Sequence, residues 1–102
     1  MSANLRSDLR NAANPEAMCR LLCARCERYG RVEVIDLLPL ANDGSEGVVC
    51  IVDLATAEQA RAVQSATGLV PFGVNSLVCV VPRSSFSLSL PFRYAAHQAL
   101  AA

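Results

Sequence analysis

Residues Gly47–Gly68 read GVVCIVDLATAEQARAVQSATG. A short β-branched apolar run, Gly47–Leu54, leads through a turn into an amphipathic stretch, Ala57–Thr67, closed by glycine. The first part has the composition of a half-buried strand. Thr56 is placed to cap a helix, Glu58 lies in its positive first turn, and Gly68 is placed to end it. Ala60, Val63 and either Ala66 or Thr67 recur at helical spacing and are small, so the helix is expected to pack close to a sheet.

Upstream, Asn14-Pro15-Glu16 combines a cap, a proline suited to the first helical turn and a favourable carboxylate. A helix is predicted from there to Tyr29, with Gly30 as its C-cap and an inward stripe through Met18, Leu21, Leu22, Arg25 or Cys26, and Tyr29. Arg31–Leu38 alternates and is β-branched, so it reads as a strand. Pro39–Glu46 is a loop with Asn42-Asp43-Gly44 as its turn. Downstream, Leu69–Gly73 is a connection, and Asn75–Val81 is a strand stopped by Pro82.

The predicted class is α+β: a ferredoxin-like βαββαβ sandwich, with a four-stranded antiparallel sheet carrying two helices on one face. Its first strand must then lie in the short polar segment Ala3–Leu9. Residues 1–82 would form the domain and 83–102 a C-terminal extension. Within it, Ser84–Leu90 alternates strictly, so Phe86, Leu88 and Leu90 would share one side of an extended segment. Phe92–Ala102 reads as a final short helix or a fraying tail.

The chain has 102 residues, enough for one modest core. Apolar residues make up 53% and charged ones 18%, so the composition is that of a globular domain and not of a disordered one. Nine acidic residues balance nine basic ones, all arginine, which leaves no bulk attraction to nucleic acid or anionic lipid. Any such binding must come from local clustering. Five cysteines, odd in number and set among apolar residues, suggest reduced thiols in an intracellular protein of nucleus or cytoplasm. The first residues, MSANLRSDLRNAAN, lack the apolar core of a secretory signal, and no run reaches transmembrane length.

Gly30 followed by VEVIDL, then GVVCIVDL, AEQARAVQSATG and SLVCVV, resembles the RNA-recognition-motif family over Asn14–Val81. The lack of aromatic residues on these strands brings it nearest to the polypyrimidine-tract-binding subset, in which aliphatic side chains replace stacking rings. That resemblance implies a fifth strand after the core and a function in binding short, pyrimidine-rich single-stranded RNA during messenger RNA processing or stability. The family octapeptide falls on Gly47 through Leu54, with Gly47 at the basic position. Val49 and Ile51 occupy the positions where the family places its base-stacking rings.

Strand alternation puts Ile35, Leu37, Cys50, Val52, Leu77 and Cys79 in the core and turns Val34, Asp36, Val49, Ile51, Val78 and Val80 outward. Arg31 and Arg83, with Arg6 as a further candidate, border this face within reach of phosphates. These residues, Arg6 apart, form the candidate RNA site. The alternative is a protein-interaction or dimerisation module on the same scaffold, binding no RNA, and a third cover for the face is the chain's own Phe86–Leu90 segment with the C-terminal helix.

Cys19, Cys23 and Cys26 form a literal C-x3-C-x2-C, the spacing of cluster-binding radical enzymes. They lie inside the predicted helix and lack a fourth ligand, so they read as small core hydrophobes. No metal or cofactor is expected. Asp36 and Asp53 on neighbouring strands and the single His97 do not make an acid–base set, so the chain is not expected to be an enzyme.

Overall fold

The computed structural model describes residues 3–40 and 47–97. The expected Asn42-Asp43-Gly44 turn and the last residues of the expected C-terminal helix lie outside them. Three helices and five strands appear in the order α1 (Ala3–Arg10), α2 (Pro15–Cys26), β1 (Val32–Pro39), β2 (Gly47–Leu54), α3 (Ala57–Thr67), β3 (Val70–Pro71), β4 (Ser76–Pro82) and β5 (Phe92–Ala95). The strands form one antiparallel sheet ordered β3-β4-β2-β1-β5. The class is α+β, but both the strand count and the order differ from the expected four-stranded arrangement.

The largest difference is at the start. Ala3–Leu9 is not a strand: Ala3–Arg10 is helical. Leu5 and Leu9 are buried while Arg6, Ser7, Asp8 and Arg10 are exposed. An extended segment would have turned Ser7 inward between the two leucines; a helix turns it to water. The segment also lacks the β-branched residues that favour a sheet. Arg25 of α2 donates to Asp8, which holds the two helices side by side.

Asn14 Oδ1 accepts from the Ala17 N–H at 2.8 Å, and Pro15 opens α2. The helix ends at Cys26, one turn before the expected Tyr29. Tyr29 accordingly stands 46% exposed and leaves the buried stripe to Met18, Cys19, Leu22 and Cys26. Gly30 has no left-handed backbone. A Cβ there would meet Gln59 Cβ at 2.8 Å, so its glycine serves the close approach of α3. In α3, Thr56 Oγ1 accepts from the Gln59 N–H at 3.1 Å, and Gly68 closes the helix at φ 79°. The small residues Ala60, Val63 and Thr67 face inward.

All three helices cover one face of the sheet. The core between the layers takes Val32, Ile35 and Leu37 from β1, Val48, Cys50, Val52 and Leu54 from β2, and Leu77, Cys79 and Val81 from β4. A bulge at Glu33 lets Val32 pair with Leu54 and Val34 with Asp53, so Val32 and Ile35 both point inward. Beyond β4 the chain passes the end of α1, where the Ser85 N–H and Oγ donate to the Arg10 carbonyl at 3.0 and 2.9 Å. Phe86 and Leu88 pack against the core here, while Leu90 is exposed, so the expected shared side does not hold for all three. The fifth strand is Phe92–Ala95 on the far edge beside β1, where a helix or fraying tail was expected.

Glu27 ties this edge together. Its Oε2 accepts from the Val32 N–H at 2.8 Å and lies 2.7 Å from His97 Nε2. Burial raises the Glu27 carboxyl, but the bonds from His97 and Val32 outweigh it and hold the group below its ordinary 4.5.

Two predictions follow from this packing. Urea unfolding of Leu9→Ala is expected to show a loss of about 2–5 kcal/mol, against a change within about 0.5 kcal/mol for the exposed Ser7→Ala; equal losses would contradict a packed α1. Because the folded Glu27 carboxyl is depressed, its stabilisation is present above the unfolded value and is lost as pH falls through the lower folded value. Glu27→Gln should therefore flatten stability against pH below about 4.5, measured by denaturant midpoints across the acid range.

Candidate functional site

The face turned away from the helices carries no covering element among the described residues. Register sorts its side chains into three rows. One row runs Ala95, Val34, Asp53, Ser76; the next runs Arg93, Asp36, Ile51, Val78, Val70; the third runs Leu38, Val49, Val80. Most of these residues are half-buried by their neighbours, while Val70 and Val80 stand 57% and 46% exposed.

The rows divide the face into two halves of different chemistry. On the β1–β5 side and along the first row, each carboxylate has a partner within the face. Arg93 Nε and Nη2 donate to the two Asp36 oxygens at 2.8 and 3.2 Å, and Ser76 Oγ donates to Asp53 Oδ1 at 2.7 Å. Towards β4 and β3 the surface is wholly aliphatic: Leu38, Val49, Ile51, Val78, Val80 and Val70. It runs on into a pocket of about 420 Å³ at the β3–β4 edge, lined by Leu69, Val70, Val78, Cys79, Val80, Gly68 and the Arg6 side of α1.

The structure thus brings Val34, Asp36, Val49, Ile51, Val78 and Val80 together on one face. Arg31 is spent locally, its Nε donating to Glu33 Oε2 at 3.0 Å and its N–H to Gln59 Oε1 at 2.6 Å. Arg83 follows β4 with a left-handed φ of 57°, unusual for a residue with a side chain, where the chain turns out of the sheet. Arg6 lies on the helix layer, at the pocket. Arg93 is the charged residue of this face that sequence reasoning missed. Its signal was the alternation in FRYA, which sends Phe92 and Tyr94 to the core and Arg93 and Ala95 outward once the segment is a strand.

The carboxylates Asp36 and Asp53 are diagonal neighbours, each held by its own donor. Cys19 and Cys26 are buried in α2, where desolvation pushes both thiols up to about 12, and burial also raises the half-buried Cys23. Among the described residues no three His, Cys, Asp or Glu side chains stand as a metal-binding group, and no helix is long and apolar enough to cross a membrane.

No family model, curated protein or solved structure matches this chain significantly. What the molecule presents is an α+β fold with an open antiparallel sheet, one face packed and the other half aliphatic. Its likeness to the RNA-recognition motif rests on the sequence spacing alone.

The rows carry their own check. Val80→Ser, on the most exposed part of the β4 side, is expected to lower fluorescence of a hydrophobic-surface dye such as ANS while moving the urea midpoint little. Unchanged dye binding would mean that the aliphatic half is not the accessible apolar surface.

Proposed function

We propose that this chain is a protein-interaction module that docks a second copy of itself through the aliphatic half of its open sheet face. One observation carries the reading: the contiguous Leu38–Val49–Val80 row with Ile51 and Val78 beside it, uncovered among the described residues. Apolar surface of this kind is what association removes from water. Aliphatic sheet faces stack well on one another, about 10 Å apart.

Charge supports a second copy as the occupant. The polar half holds both signs, Asp36 and Asp53 with Arg93, so a two-fold axis can set a guanidinium of one copy against a carboxylate of the other. A formal net charge of zero puts no long-range repulsion between copies. Strands about 4.8 Å apart, five across and up to eight residues long, make a plane of roughly 500 Å² before side-chain relief. A standard interface takes roughly 800 Å² per partner, so a weak, concentration-dependent dimer is expected, with Kd about micromolar or above.

Single-stranded RNA is the less supported occupant of the same face. Phe92 and Tyr94 turn their rings to the core, which removes the stacking worth about 1–3 kcal/mol per base. Arg31, expected to reach phosphates, is engaged by Glu33 instead. On this reading the ferredoxin-like spacing of Gly47–Gly68 reflects a strand–helix unit, and not shared nucleic-acid chemistry. The engaged carboxylates likewise favour a binding role over a catalytic one.

Sedimentation velocity across a concentration series is expected to show a monomer–dimer equilibrium. Val80→Glu should shift it to monomer while leaving the circular dichroism spectrum intact. Amide shifts that depend on protein concentration should centre on Val49, Ile51, Val78 and Val80. A monomer at every concentration, with those amides moving only when oligopyrimidine RNA is added, would replace this reading with the RNA one.

A further inference from the structure

The pairing of β2 with β4 sets Cys50 directly opposite Cys79. Both side chains point to the helix layer. Directly opposed residues on antiparallel strands have Cα atoms about 4.5–5.5 Å apart, inside the span of about 4.4–6.8 Å that a disulfide bridges. The two thiols differ in access. Cys50 is fully buried, its Sγ 3.7 Å from Met18 Sδ, whereas Cys79 keeps 8% exposure and lines the pocket at the β3–β4 edge. Arg6 lines the same pocket, and no ion pair engages it among the described residues.

We propose that Cys79 is a hydroperoxide-reactive thiol, with Cys50 as its resolving partner, and that the two close a cross-strand disulfide between β2 and β4. The proposal does not rest on the docking role of the open face, with which the pocket shares Val70, Val78 and Val80. In the first step Cys79 sulfur attacks the terminal peroxide oxygen. The S–O bond forms, the O–O bond breaks, and the departing oxygen takes the thiol proton to leave as water or an alcohol. Cys79 is oxidised to a sulfenic acid and the peroxide is reduced. In the second step Cys50 sulfur attacks Cys79 sulfur. The S–S bond forms, the S–O bond breaks, and hydroxide leaves with the Cys50 proton as water.

The surroundings suit these roles. A hydrogen bond with Cys50 lowers the Cys79 thiol, burial opposes that, and the Arg6 charge lowers it further, for a net value below the usual one. The same contact and deeper burial push the Cys50 thiol up, so Cys79 and not Cys50 is the thiol that meets the peroxide first. Arg6 lines the same pocket as Cys79, and a guanidinium beside a bound peroxide would stabilise the oxygen that becomes negative as the O–O bond breaks. Cys19 and Cys26 have no such entry: both are fully buried in α2.

Trypsin makes the test direct, because fragments 32–61 and 62–83 each hold a single cysteine, Cys50 and Cys79. The full chain is treated with equimolar hydrogen peroxide, alkylated, digested and weighed. Two of the five thiols should be lost, with those two fragments joined and the α2 cysteines alkylated. Cys50→Ala should leave a Cys79 sulfenic acid that dimedone captures, and the surface variant Arg6→Gln should slow thiol loss severalfold. Five intact thiols, a link confined to Cys19, Cys23 and Cys26, or an unchanged rate in Arg6→Gln would each overturn the proposal. If Cys50→Ala does not fold, the wild-type link and the Arg6→Gln rate still decide it.

Discussion

The direct antiparallel pairing of β2 with β4, from Gly47 opposite Pro82 to Asp53 opposite Ser76, is the constraint on which the rest of the molecule depends. In the expected βαββαβ order a first strand would lie between these two. Here the gap is closed by main-chain bonds, and a Cβ on Gly47 would run into the Val81 carbonyl and, at 2.8 Å, into Pro82 Cα. With no slot in the sheet, residues 3–10 enter the helix layer instead, where Leu5 and Leu9 find the core. The chain after α3 must also reverse direction before it can pair antiparallel with β2. The two-residue β3 and the turn bonded between Phe72, Gly73 and Ser76 make that reversal.

The same register writes both surfaces of the sheet. Every second residue of β2 and β4 meets its opposite on the core side, which is how Cys50 comes to face Cys79. The residues between meet on the open side, which is how Val49 comes to face Val80 and Ile51 to face Val78. A one-residue slip would exchange the two sets, exposing the cysteines and burying Asp53. Burial of that unpaired carboxylate would cost far more than the slip could return. The polar first row thus fixes the register from outside, just as the valines and leucines fix it from within.

The strand–turn–helix unit over Gly47–Gly68 and the outward set Val34, Asp36, Val49, Ile51, Val78 and Val80 were legible because period-two alternation and caps are local signals. What escaped was nonlocal or ambiguous. Leucines four apart satisfy both a strand and a helix, so Leu5 and Leu9 alone do not separate the two; Ser7 between them does, and only because it must avoid the core. Which strand fills the centre of the sheet is decided by pairing between distant segments and leaves no local mark. FRYA is too short for its alternation to outweigh the run of alanines after it, although its one charged residue completes the polar half of the face through Asp36.

Two halves of different chemistry on one sheet face have a physical consequence for any occupant. Asp36 and Arg93 satisfy each other within the chain, at 2.8 and 3.2 Å, and Arg93 is largely exposed, so the pair alone adds little stability. Covering the face would strip water from the pair, and a partner lacking charges of its own would bear that desolvation without return. An aliphatic surface with no polar complement therefore fits only the β4 side. A surface that repeats the same division, aliphatic beside acidic and basic, fits both. The copy of this chain is such a surface, and the two-fold operation that brings Val80 near its counterpart carries Arg93 and the two aspartates along with it.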